Sequence, residues 1–271
     1  MVRGVHSKRH LRRPALARHV AGFFTGLVLI LSRAPPAAAE DPAQGWFDPS
    51  RFTVRETVNT LATTTTNANG ASSKARAYVS ETELDYRVTD WYQLALVAST
   101  SLPGSLGGSG AWNGALLRQT FLMPDAGARP VFVGLAVQFG YMVPGAMVPA
   151  LASTNTRFAA GLTPILGFNY QAWQLTLSPT VVTGIGAGAT TALAPAGRLT
   201  RTISEDFDVG IEYASALGQL GSISPLAQQS HIVYGITDFK LAGFEINLGV
   251  GYGLTTASRG IAAKIGISHG F

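Results

Sequence analysis

The chain contains no cysteine in 271 residues. This excludes disulfides, a thiol nucleophile and sulfur-ligated metal sites together. Histidine is almost as scarce. His6, His10 and His19 stand in the first 39 residues, leaving only His231 and His269 beyond them. Two histidines are too few for a histidine-ligated zinc centre, and no cofactor or metal is expected. Charge is thin, with 13% Asp, Glu, Lys and Arg. After residue 39 no run of 18 residues is continuously apolar, so no membrane-crossing helix is expected. If the chain enters a membrane, only a closed barrel can satisfy its backbone there.

The N-terminus is of a different kind. Its first 39 residues carry seven Lys or Arg and no Asp or Glu. A basic stretch precedes VAGFFTGLVLILS (20–32) and then RAPPAAAE, the order of a secretory signal with cleavage after Ala39. The apolar run of 13 residues is short of the roughly 20 that a spanning helix needs. The division expected is a signal peptide at 1–39, a periplasmic N-terminal segment at 40–50 and the folded unit at 51–271. Beyond Ala39 there are 13 basic and 15 acidic side chains, net −2. The sequence pI of about 9.7 therefore belongs largely to the signal and gives no reason to expect nucleic-acid binding.

What the rest has in quantity is alternation at period two, the mark of strands with one apolar and one polar face. In PVFVGLAVQFGYMV the odd residues Val131 to Val143 are apolar, while the even row carries Gly134, Ala136 and Gln138. In FEINLGVGYGL, Phe244, Ile246, Leu248, Val250 and Tyr252 oppose Glu245, Asn247 and Gly249. Twelve strands are expected, at 51–66, 74–88, 91–101, 112–123, 130–143, 157–168, 173–183, 191–203, 207–215, 229–238, 244–254 and 259–271. Their connections alternate. Short ones at 89–90, 124–129, 169–172, 204–206 and 239–243 interleave with long Gly-, Ser- or Pro-rich ones such as LPGSLGGSGA and PGAMVPALASTNT. That rhythm suits periplasmic turns and outer loops of an antiparallel up-and-down transmembrane β-barrel in a bacterial outer membrane. The eight steps from Phe244 to Tyr252, tilted, cover roughly 20 Å, near the ~25 Å apolar band with aromatic girdles. The final strand, IAAKIGISHGF, resembles the C-terminal assembly signal of such barrels, with Phe271 terminal and His269 where Tyr or Phe is commoner.

ELDYRVTDWYQLAL (83–96), ISEDFDVGIEY (203–213) and HIVYGITDFKLAGFEINLGVGYGLT (231–255) are similar to the strand–turn–strand repeats of a bacterial outer-membrane family, the MetA-pathway of phenol degradation. The resemblance implies a twelve-stranded barrel that passes small, often aromatic, molecules. It transfers no ligand residues.

Function should lie on the inward rows. Glu81, Glu83, Asp85 and Arg87 share the polar face of one strand, and Asp208 and Glu212 that of another. Arg55, Arg198, His231, Glu245 and Lys264 are also assigned to the lumen. Such a wall either sets selectivity, as charged rings do in channels, or closes on itself as a filled, salt-bridged interior. Catalysis has little support. Ser230 and His231 are adjacent in a strand and point to opposite faces, and GIGAG (184–188) lacks the Lys-Ser/Thr and helix of a phosphate loop. The first reading is a porin-like channel and the second a closed structural or surface-interaction barrel, with an enzyme a distant third. The expected partners are the bilayer, lipopolysaccharide, the barrel-assembly machinery and an unnamed small solute.

Overall fold

The computed structural model describes residues 51–66, 72–102, 110–143 and 156–271. The proposed signal (1–39), the 40–50 segment and the greater part of three outer loops lie outside them. In chain order the strands are β1 (Phe52–Thr66), β2 (Ser72–Thr89), β3 (Tyr92–Ser101), β4 (Ala111–Leu122), β5 (Val131–Met142) and β6 (Phe158–Tyr170). Then come β7 (Trp173–Leu177), β8 (Thr180–Ile185), β9 (Thr191–Ala194), β10 (Ala196–Ser204) and β11 (Phe207–Ala216). The short β12 (Gly218–Gln219) and β13 (Ser222–Ile223) precede β14 (Ser230–Leu241), β15 (Phe244–Gly253) and β16 (Gly260–Gly270).

Each strand pairs antiparallel with its neighbour, and β16 returns to β1 in register from Thr53↔Gly270 to Asn59↔Lys264. β7 with β8, and β9 with β10, act as single wall strands, so the circuit has twelve and leaves no edge. The breaks fall at Pro179 and Pro195. Proline has no amide hydrogen to give the ladder, so pairing lapses there and resumes in the same register. β12 and β13 form a small hairpin beside β9, outside the circuit. All twelve expected strands are present, with ends shifted by a few residues.

The alternation in sequence becomes inside and outside. The odd row of β5 is turned outward, with Val131, Val133 and Phe139 about half exposed. Val250 and Ile211 are more exposed still, at 68% and 56%. An apolar surface this continuous is unfavourable against water and suited to hydrocarbon. Aromatic rings cap the short-turn end of this band. Phe271 stands 6.0 Å from Phe52, its amide donating to the Phe52 carbonyl at 2.8 Å. His269 lies edge-on to Phe271 at 4.8 Å, and Arg201 covers Trp173. The last hairpin on this side turns through Ala242 and Gly243, both at positive φ, the geometry that matches strand twist.

Candidate functional site: the lumen

Inside, a cavity of about 520 Å³ runs from mid-barrel to the short-turn end, where Glu205, Asp206, Lys240 and Glu245 line it. Its wall is charged along one arc. Arg55 on β1 stands 3.8 Å from Glu83 on β2, and Arg118 on β4 closes on the same carboxylate. Glu83 therefore sits between two guanidiniums. A few strands away Arg198 on β10 pairs with Asp238 on β14 and reaches Glu212 on β11 at 4.0 Å. Lys264 on β16 donates to Glu212 at 2.6 Å, and Asn247 on β15 donates to Asp238 at 2.6 Å.

Lys264 reaches Glu212 across two intervening strands because β15 offers it a bare backbone. A Cβ on Gly249 would lie 2.7 Å from the lysine Cγ. The ammonium also stands 5.7 Å from the ring centroid of Tyr234. Glycine here is a requirement of close approach.

The barrel interior beside β5, β6 and β8 is instead packed with apolar side chains that do not line this cavity. Phe132, Ile165, Leu122 and Ala136 form one buried cluster, and Val97, Leu116, Met142, Ala159 and Val182 another. The Phe132 ring rests on Gly167, where any Cβ would collide with it. Thr163 and Thr180 share a hydrogen bond of 2.8 Å across the β6–β8 junction, between these clusters.

Of the residues assigned to the lumen from sequence, Arg55, Glu81, Glu83, Asp85, Arg87, Arg198, Asp208, Glu212, Glu245 and Lys264 lie on the inward row. The structure joins Arg55 with Glu83, and Arg198 and Lys264 with Glu212. Asp85 bonds Gln93, and Glu245 accepts from Ser268 at 3.3 Å. Asp208 stands opposite Asp238 in register. His231 is a correction. It shares the outward row of β14 with Val233 and Phe239, and pairs with Ser215 of β11. Its Nδ1 lies 2.6 Å from the Tyr213 hydroxyl and its Nε2 2.7 Å from Gln229. It therefore belongs to the outer rim, since Tyr234 takes the inward place opposite Glu212.

Two central residues were missed. Arg118 lies in GALLRQTF, where both rows mix polar and apolar residues and the bulge at Gly114 resets the count. Asp238 stands at the very end of the expected strand 229–238, next to the expected turn at 239–243, but β14 continues to Leu241 and carries it into the wall.

A closed antiparallel barrel with an apolar belt outside and ion pairs inside has the fold of an outer-membrane β-barrel. Solved structures of that class match it. The chain aligns over 86% of its length with the whole of the COG4313 outer membrane channel from Pseudomonas putida F1, at TM-score 0.56 and 12% identity. It matches 98% of the translocator domain of autotransporter NalP from Neisseria meningitidis over 95% of this chain, at TM-score 0.54 and 11% identity. It matches 99% of the KdgM porin, solved in complex with disordered oligogalacturonate, over 80% of this chain, at TM-score 0.53 and 8% identity. No protein-family model and no curated protein matches the chain, so the phenol-degradation family remains a resemblance carried by the stretches quoted above.

Proposed function

We propose that this chain is an outer-membrane channel for small solutes, exported by a signal cleaved near Ala39. The observation that carries the reading is the cavity of about 520 Å³ inside a closed wall, lined by the ion-paired Arg55, Glu83, Arg118, Arg198, Glu212 and Lys264. A passage so lined suits a small molecule whose polar groups exchange hydrogen bonds with the ion-paired wall, and an aromatic body is what the family resemblance adds. The channel and porin among the structural matches support this by fold alone. In the same reading residues 40–50 lie in the periplasm, lipopolysaccharide surrounds the long-loop rim, and the assembly machinery reads Phe271 with His269.

The compensated ion pairs favour one competitor, a closed structural barrel, because pairs that satisfy each other also hold strands together. Planar-bilayer recording and vesicle-swelling assays of refolded 40–271 separate the two. Discrete conductance with entry of small phenols or aromatic acids supports the channel. Sealed vesicles and a silent bilayer support the closed barrel.

A further inference from the structure

At the inner edge of the cavity one carboxylate stands apart from the ion pairs. Glu81 lies on the inward row of β2, the next inward position after Glu83 toward the long-loop end. It pairs with Thr57 of β1 on one side and Ser99 of β3 on the other. Thr57 lines the cavity and Ser99 does not. Glu81 therefore marks a border where the open lumen ends. Beyond it a small recess is framed by Val97, Ser99, Leu116 and Met142, all four of them buried. Ser99 apart, that frame is apolar.

Among the described residues Glu81 has neither a hydrogen bond nor an ion pair. The guanidiniums of this arc, Arg55 and Arg118, both turn to Glu83. Arg118 attracts Glu81 through space without pairing with it. Two guanidiniums on one carboxylate leave a positive charge over, and Glu81 cancels it. Its oxygens remain open to a donor that arrives from the cavity. A carboxylate framed by buried apolar side chains acts on a passing charge through low-dielectric surroundings.

We propose that Glu81 is the specificity-determining residue of the passage, and that it selects small solutes bearing an ammonium group on an apolar body over the matching carboxylates. The inference rests on the channel reading given above. The cavity leads such a solute to it, since five basic and seven acidic side chains line the wall, net −2. An ammonium meets a surplus of acceptors along that wall and then an unpaired one at the border. A carboxylate meets cations already committed to Glu83, Glu212 and Asp238. The apolar frame of Val97, Leu116 and Met142 takes the body of the solute.

Bilayer recording of the protein purified from membranes of cells expressing the full chain tests this. Reversal potentials are measured for benzylammonium chloride and for sodium benzoate, each against potassium chloride. Benzylammonium should be about tenfold more permeant than benzoate in the parent, and Glu81→Gln should bring the ratio to about one. Glu81→Asp keeps the charge and should keep the preference. Glu56→Gln removes one charge from the outward row of β1 and should leave the parent's ratio. All three variants should keep the parent's heat-modifiable migration. A ratio in Glu81→Gln equal to the parent's overturns the proposal, as does an equal loss in Glu56→Gln or a parent that prefers benzoate. A parent that inserts and passes no current even in potassium chloride overturns the channel reading itself.

Discussion

The two arcs of the lumen are built on opposite terms. In the charged arc, long side chains cross between strands and glycine lets them lie flat, as Lys264 does over Gly249. In the apolar arc a large ring is fixed by a facing glycine, as Phe132 is by Gly167. Both arcs fill space, but only the first lines the cavity and carries charge toward it. Both should therefore govern stability, and only the charged arc should govern which ions pass.

The largest effect that probes this difference is Phe132→Ala. Removing the ring should cost about 3–5 kcal/mol, measured by urea unfolding of refolded barrel in detergent, with reversal potential in a salt gradient unchanged. Arg118→Ala should cost about 3 kcal/mol, because it leaves Glu83 with only the more distant Arg55. With its side chain 29% exposed, Arg118 loses less than a fully buried partner would. This variant should also shift the reversal potential toward cations. If Phe132→Ala moves the potential as much as Arg118→Ala does, the two arcs are not functionally distinct. Leu248→Arg, on the outward row, should cost about 2–4 kcal/mol and appear as reduced insertion into vesicles, with no change in selectivity among the molecules that insert. The smallest effect is expected at the β6–β8 junction, where Thr163→Val removes one hydroxyl pair worth about 1 kcal/mol.

The comparison also shows what the sequence could and could not disclose. Period-two alternation over β5, β11 and β15 was legible because one face of each strand is almost purely apolar. The turn rhythm then fixed the number of strands. The charged arc was legible in part, since Glu83, Glu212 and Lys264 stand on clean polar rows. Arg118 escaped because β4 has no clean row and carries a bulge at Gly114. His231 was placed inside because a lone polar residue near a strand end gives no parity of its own. Its true row is set by pairing with β11, a contact between residues far apart in sequence. The apolar arc was not anticipated at all. Inward Phe132 and Ile165 look like ordinary strand residues until the barrel closes and brings β5 and β6 against the lumen.

The central claim is that the lumen is a passage whose charged arc controls permeation. Single-channel recording of refolded 40–271 beside Arg198→Ala, in a tenfold salt gradient, tests it most directly. Arg198 touches Asp238 and Glu212, so its removal leaves Asp238 without a cation and Glu212 with Lys264 alone in the cavity wall. The account predicts discrete openings in the parent and a reversal potential moved toward cation preference in the variant. A parent that folds, inserts and never conducts, or a variant whose selectivity equals the parent's, would contradict it.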